Sequence, residues 1–230
     1  MSLSDRFRLS ERSIASRGSL RSNRLCPPGL EVLLPLSHVF IKQKSSDHVF
    51  TGYETRNKYI LKTLEGKKVL WAIESTDECV RCCFTDSTRP FDLHIFNENK
   101  RKILKLSLPL SWFEPVTQLY VNCSSISTTI GRIENRTRFF HRPLYVVKDE
   151  AGNTAFTIKA TSLMQCDEFK VRDAMGTEIG KIGKLWAPNI KESIGDDNIF
   201  GVEFPPDLEV KHKAVLLSAC LWLDMRYHES

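Results

Sequence analysis

No apolar run in this chain is long enough to cross a bilayer as a helix. The C-terminal run AVLLSACLWL, residues 214–223, has ten residues and stops at Asp224 and Arg226, whereas a spanning helix needs roughly 20. Segments of helical period and length are nearly lacking before that point. An N-terminal apolar core with a cleavage site is absent as well, and the seven cysteines are an odd number, so a reducing, cytosolic compartment is expected. The chain begins Met1, Ser2, Leu3, without the glycine that myristoylation requires. Around Cys79, Cys82 and Cys83 there is no second Cys-x-x-Cys or nearby histidine pair to complete a four-ligand zinc site, so buried or semi-reactive thiols are expected there. Nucleophile elbows, zincin helices and phosphate-cradling glycine loops are also missing, and the chain is not expected to be an enzyme.

What is present is ordinary for a globular protein in bulk and uneven in its distribution. The net charge is +5 with 41% hydrophobic and 27% charged residues. Most of the excess charge comes from Arg6, Arg8, Arg12, Arg17, Arg21 and Arg24, opposed only by Asp5 and Glu11. Residues 1–26 therefore read as a disordered, basic, serine-rich tail with an attraction for anionic surfaces, or as a plain solvated tail.

From Pro27 onward, short β-branched and aromatic runs are separated by compact turn signals, which places one domain over residues 27–230. Four units, residues 59–74, 92–107, 144–160 and 168–186, each place a Gly- or Asn-containing turn between two such runs and read as hairpins. Further strands are expected at residues 38–44, around 51–55, and at 118–123, 127–134 and 199–204. A dozen strands exceed what an open twisted sheet carries without curling, and closure removes the exposed edges. A barrel that wide must be filled by something. The C-terminal run, apolar on nearly every face, is the candidate. The fold expected is thus all-β, a closed barrel of about twelve antiparallel strands around a buried C-terminal helix.

One segment has metal-ligand spacing. An EF-hand-type loop uses oxygen ligands at positions 1, 3, 5, 7, 9 and 12 and a glycine at 6. Counting from Asp196 puts Asn198 at 3, Phe200 at 5, Gly201 at 6, Val202 at 7 and Asp207 at 12, with Phe200 and Val202 offering backbone oxygens. Calcium is the ion such a set would take, weakly; the alternative is a surface turn with solvated acids leading into a strand. A second segment, GKIGKLW at residues 180–186, carries Lys181, Lys184 and Trp186. It fits a nuclear import signal or a lipid-headgroup contact, or a solvated strand face with a packed tryptophan.

Taken in order, PPGLEVL (residues 27–33), TGYETRNKY (51–59), ECVRCCF and STRPFDL (87–93), GKIGKLW and DDNIFGVEFPPDLEVKHKAVLLSAC resemble the phospholipid scramblase family. The resemblance implies a Tubby-like closed barrel of twelve strands around a hydrophobic helix. It also implies calcium-dependent, ATP-independent, bidirectional movement of phospholipids between leaflets at the cytoplasmic face of the plasma membrane. Asp196, Asn198, Gly201 and Asp207 match the family's metal segment, with Asn198 where members often carry Asp. Lys181, Lys184 and Trp186 match a segment linked in some members to importin and the nucleus, with Leu185 in place of a His. Two departures stand out: LPLSWFEPVTQ (residues 108–118) lacks the cysteine run that members use for palmitoylation, and the N-terminus lacks a long proline-rich region. Anionic membrane is the expected partner and nucleic acid is not. A ten-residue run cannot build a polar groove by itself, so direct translocation calls for several copies on the membrane. A calcium-responsive docking adaptor and a nuclear shuttling factor are the alternatives.

Overall fold

The computed structural model describes residues 26–44, 57–75, 89–110, 116–184 and 200–227. A short 3-10 turn at Glu31–Leu33 leads into twelve strands, each paired antiparallel with its neighbours. They are β1 (His38–Gln43), β2 (Lys58–Lys62), β3 (Lys68–Glu74), β4 (Phe91–Asn97), β5 (Lys102–Leu108) and β6 (Gln118–Cys123), then β7 (Thr128–Asn135), β8 (Leu144–Lys148), β9 (Thr154–Ala160), β10 (Glu168–Asp173), β11 (Glu178–Lys184) and β12 (Phe200–Glu203). Helix α1 (Val210–Tyr227) follows. The sheet is an up-and-down meander in which β12 returns to β1, with registers running from His38 opposite Glu203 to Ile41 opposite Phe200. Closure leaves none of these strands with a free edge.

Sequence alternation decides which face points inward. In β6, Leu119, Val121 and Cys123 are buried while Gln118, Tyr120 and Asn122 are partly exposed. The same period of two runs through β4 and β8. All four hairpins expected from turn chemistry are present, as are the strands expected at residues 38–44, 118–123, 127–134 and 199–204. The one expected around 51–55 lies outside the described residues.

The meander sorts its connections by length. Five tight turns, at 63–67, 98–101, 124–127, 149–153 and 174–177, lie at one end of the barrel, together with the chain's entry into α1. The loops 136–143 and 161–167 emerge at the opposite end, where Gln43, Glu74, Leu108 and Lys184 also end their strands. These are the turn end and the loop end of the barrel.

Helix α1 is 18 residues long, eight more than the apolar run, and 14 of them are buried, including every residue from Lys213 to Met225. At 1.5 Å per residue it is about 27 Å long. It packs on β7, β12 and the 3-10 turn. Close approach to β7 depends on Gly131, where a Cβ would stand 2.8 Å from both Val215 Cγ2 and the Lys148 carbonyl oxygen. The loop end is closed by aromatic packing: Tyr145 lies edge-on to Trp222 at 5.3 Å, Phe169 lies 5.7 Å from Tyr227, and the Tyr145 and Tyr227 hydroxyls are hydrogen-bonded at 2.9 Å. Among the described residues, no helix is long and apolar enough to cross a membrane; that statement does not extend to strands.

The helix supplies a large part of the barrel's apolar contact, so truncating it should be costly. Leu217→Ala, at a position with 0% exposure, is expected to lower unfolding free energy by about 2–5 kcal/mol, read from denaturant midpoints. A loss below about 0.5 kcal/mol, the range of a surface substitution, would show that the helix is not packed as described.

Candidate functional site

The proposed metal ligands divide across the structure. Phe200 and Val202 are buried in β12, where Phe200 stands between Ile41 and Lys184 and Val202 between Val39 and Ile182. Both edges of β12 are paired, so its backbone groups serve the ladder. The ligand spacing suggested a wrapped loop and the composition a strand at residues 199–204; the strand is what forms, because apolar residues with paired neighbours on both sides favour an extended chain over a turn. Asp207 is exposed in the turn that leads into α1, at the turn end. Asp196 and Asn198 lie outside the described residues. Among the described residues, no three His, Cys, Asp or Glu side chains cluster in a way that could hold a metal ion.

Asp207 does have a neighbour that sequence reasoning missed. Lys213 is wholly buried one turn into α1. Its Nζ donates to the carbonyl oxygens of Pro206 at 2.7 Å, of Leu34 and Leu36 at 2.8 Å, and of Leu33 at 3.4 Å. It also sits 5.4 Å above the Phe204 ring. Burial pulls its pKa down from the ordinary lysine value, and the Asp207 charge works in the opposite direction. One ammonium group therefore ties the start of α1, the chain leaving β12 and the segment before β1 into a single knot at the turn end. Only its position before an apolar run pointed to it, and a lysine there reads equally well as exposed.

The glycine-lysine strand is β11, and its glycines have structural work. A Cβ on Gly180 would stand 2.2 Å from the Glu203 carbonyl oxygen. At Gly183, whose φ is +151°, a Cβ would stand 2.2 Å from the Asp167 carbonyl oxygen. Of the two lysines, Lys184 is ion-paired with Asp167 at 3.0 Å and Lys181 stands opposite Lys170 and Glu203. Trp186 lies outside the described residues.

Cys79, Cys82 and Cys83 also lie outside them, but the described residues on either side are pinned together. Glu74 at the end of β3 accepts hydrogen bonds from both terminal nitrogens of the Arg89 guanidinium just before β4, and both side chains are almost fully buried. A buried pair of this kind becomes costly when one partner is removed. Cys26, Cys123, Cys166 and Cys220 are not joined in disulfides, and burial pushes the Cys220 thiol well above its ordinary pKa, as expected of an inert core cysteine.

The loop 136–143 joins β7 to β8. It carries Phe139 and Phe140, which are 84% and 82% exposed, among Arg136, Arg138, His141 and Arg142. The signal available was RTRFFHR, an aromatic pair within a basic run.

A closed meander filled by its own C-terminal helix and showing no assembled metal centre among its described residues defines a helix-plugged β-barrel. The chain belongs to the scramblase family, whose model matches residues 17–230. It is 32% identical to phospholipid scramblase 1 of Mus musculus over 216 residues, which is 89% of this chain and 65% of the mouse protein. Phospholipid scramblase 1 of Homo sapiens is 32% identical with 89% and 67% covered, and phospholipid scramblase 2 of Bos taurus 32% identical with 89% and 72% covered. The chain thus matches slightly less than two thirds of the mouse protein's length. A solved structure of an Arabidopsis thaliana protein is 9% identical with a TM-score of 0.47, covering 85% of this chain and 97% of that one.

For the lysine knot the expected outcome concerns stability and its pH dependence. Lys213→Met keeps the volume but removes the ammonium donor from the carbonyls of Leu34, Leu36 and Pro206, while Leu33 keeps the Leu36 N–H, and should cost about 2–3 kcal/mol. Because the folded-state pKa lies below 10.5, the unfolded chain holds more protons between the lowered value and 10.5, and stability rises with pH across that window. That rise should be missing from the methionine variant; identical wild-type and variant slopes would contradict burial as the cause.

Proposed function

We propose that this protein moves phospholipids between membrane leaflets, in both directions, without ATP and in response to calcium. Membership of the scramblase family is the observation that supports this reading most directly. Such movement makes and breaks no covalent bond, so no catalytic residue is proposed. The cytoplasmic face of the plasma membrane is the proposed location, and the helix-filled twelve-strand barrel is consistent with a Tubby-like ancestry.

Calcium is proposed to bind Asp196, Asn198 and Asp207 alone, because the backbone groups of Phe200 and Val202 already serve the β12 ladder. The four residues of β12 span about 10 Å at 3.3 Å per residue, whereas calcium–oxygen distances are about 2.4 Å. A single ion can therefore meet both Asp196 and Asp207 only if the chain before Phe200 runs back along the strand. Both Asp196→Ala and Asp207→Ala are expected to weaken calcium-induced changes in tryptophan fluorescence. A response lost in the first variant and intact in the second would exclude a ligand role for Asp207; intact titrations in both would remove the site.

A second reading, a membrane-docking adaptor that translocates nothing, is favoured by the filled interior. Leu216, Leu217 and Leu221 of α1 have 0% exposure inside the barrel, so a headgroup has no route through a single copy. Direct movement would need an assembly of copies at the membrane, since a charge in hydrocarbon costs several kcal/mol. The proposed importin contact through Lys181, Lys184 and Trp186 has weaker support, because Lys184 is already paired with Asp167.

Vesicles with fluorescent lipid in both leaflets decide between the first two readings. Dithionite cannot cross the hydrocarbon and bleaches about half of the signal in sealed vesicles. Purified protein with calcium should bring bleaching near completion. Bleaching that stays near half while the protein sediments with the vesicles would leave the adaptor reading standing.

A further inference from the structure

At the loop end, β7 and β8 are joined by a loop whose charge and exposure no role described so far uses. A cleft of about 560 Å³ opens beneath it, lined by Asn135, Arg136, Arg138, His141, Arg142 and Lys159 among others. Arginine and lysine bring four positive charges to its walls. The nearby carboxylate, Glu134, is already bridged by Arg132 at 3.2 Å and by Arg136 at 2.8 Å. Burial pushes the Glu134 carboxyl up, but hydrogen bonds from these two guanidinium groups outweigh it and hold the group below its ordinary range. Arg136 is thereby committed.

The remaining cations have donors to spare. Arg142 Nη1 donates to the Thr161 carbonyl oxygen at 3.2 Å, which leaves most of its fork free and ties the loop to the neighbouring 161–167 loop. The side chains of Arg138 and Lys159 have no hydrogen-bond or ion-pair partner among the described residues. Lys159 faces Lys170 directly across the β9–β10 ladder, a like-charge placement that costs stability and is only partly relieved by the Lys170–Glu178 pair at 2.9 Å. An anion at the cleft would offset that repulsion.

Above the cations stand two rings. Phe139 and Phe140 are 84% and 82% exposed with centroids 4.2 Å apart, and Phe140 has φ +61°, a left-handed conformation that a bulky residue adopts only under strain. The neighbouring loop at the same end presents Met164 and Leu163, 89% and 48% exposed, and Leu110 beyond β5 is 48% exposed. Apolar tips over a basic cleft form the pattern of an interfacial anchor, in which rings enter the headgroup–acyl boundary and cations meet phosphate.

We propose that the loop end is a membrane-docking surface in which Arg138, Arg142 and Lys159 hold the phosphate of an anionic phospholipid while Phe139 and Phe140 enter the bilayer interface. The choice of lipid over another phosphate-bearing partner rests on Leu110, Phe139, Phe140, Leu163 and Met164 being exposed at the end that carries the basic cleft, against Leu64, Ile126 and Met175 on three separate turns at the other end, and the proposal does not require translocation. A single-stranded nucleic acid, which also uses rings and cations, would need an open stacking face with bases laid along it.

The full chain is tested by sedimentation with vesicles of phosphatidylcholine alone or with phosphatidylserine. Wild-type protein should bind the anionic vesicles and release them as salt rises. The triple variant R138Q/R142Q/K159Q should bind roughly a hundredfold more weakly, as three interfacial charges imply. The pair F139S/F140S should weaken binding at low and high salt alike. Hydrogen exchange on the wild-type protein, which needs no variant to fold, should show new protection over residues 136–143 when anionic vesicles are added. Unchanged binding in either variant, no added protection, or tighter binding to single-stranded RNA than to the vesicles would overturn the proposal. If bleaching stays near half in the dithionite assay while loop-dependent binding persists, the translocation reading fails and this one stands.

Discussion

A sheet of twelve strands cannot close around nothing. Its interior is too wide for its own side chains to meet across the axis, and an empty apolar cavity of that size would forfeit the dispersion contacts and solvent exclusion that make closure worthwhile. Helix α1 resolves this by presenting apolar side chains in almost every direction from Ala214 to Leu223, interrupted by Ser218, whose hydroxyl donates to the Ala214 carbonyl oxygen. The barrel and helix therefore define one another: neither the inward faces of β6, β7 and β8 nor the helix has another place to bury its surface.

Placing a helix inside a barrel creates two ends that must also be sealed, and the chain uses different chemistry at each. At the turn end, the buried Lys213 gathers carbonyl oxygens from Leu33, Leu34, Leu36 and Pro206, of which Leu33 also accepts the Leu36 N–H. At the loop end, Tyr145, Phe169, Trp222 and Tyr227 close the space by ring packing and one hydroxyl pair. The polar seal lies beside the entry into α1, where backbone groups before the first helical turn need partners. The aromatic seal lies beneath the loops that carry exposed apolar tips. Structural and interfacial demands thus meet at one end of the molecule, while the tight turns occupy the other.

Much of the fold was legible because its signals are local. Strand alternation in Gln118–Cys123, the glycine-bearing turns of the hairpins and the short apolar run near the C-terminus all depend on neighbours within a few residues. The acidic segment was legible only in part. Its residues 199–204 read as a strand and form one at Phe200–Glu203, but the spacing from Asp196 to Asp207 fits a loop as well, and what sets that strand's partners is the arrival of β1 and β11, far apart in sequence, on either side. Lys213 is a second case: its burial depends on carbonyls about 180 residues earlier.

The sequence by itself determined an all-β architecture of about twelve strands, the need for closure, and the segment that fills it, because periodicity and apolar content respond to short-range sterics and solvent exclusion. It did not determine which ends of the strands would share a face of the barrel. That was decided only when β1 met β12 and the alternating connections were sorted into a tight end and a loop end, bringing Arg138, Arg142 and Lys159 around one cleft beneath Phe139 and Phe140. A charge pattern spread over strands that are not yet neighbours has no direction until closure supplies one.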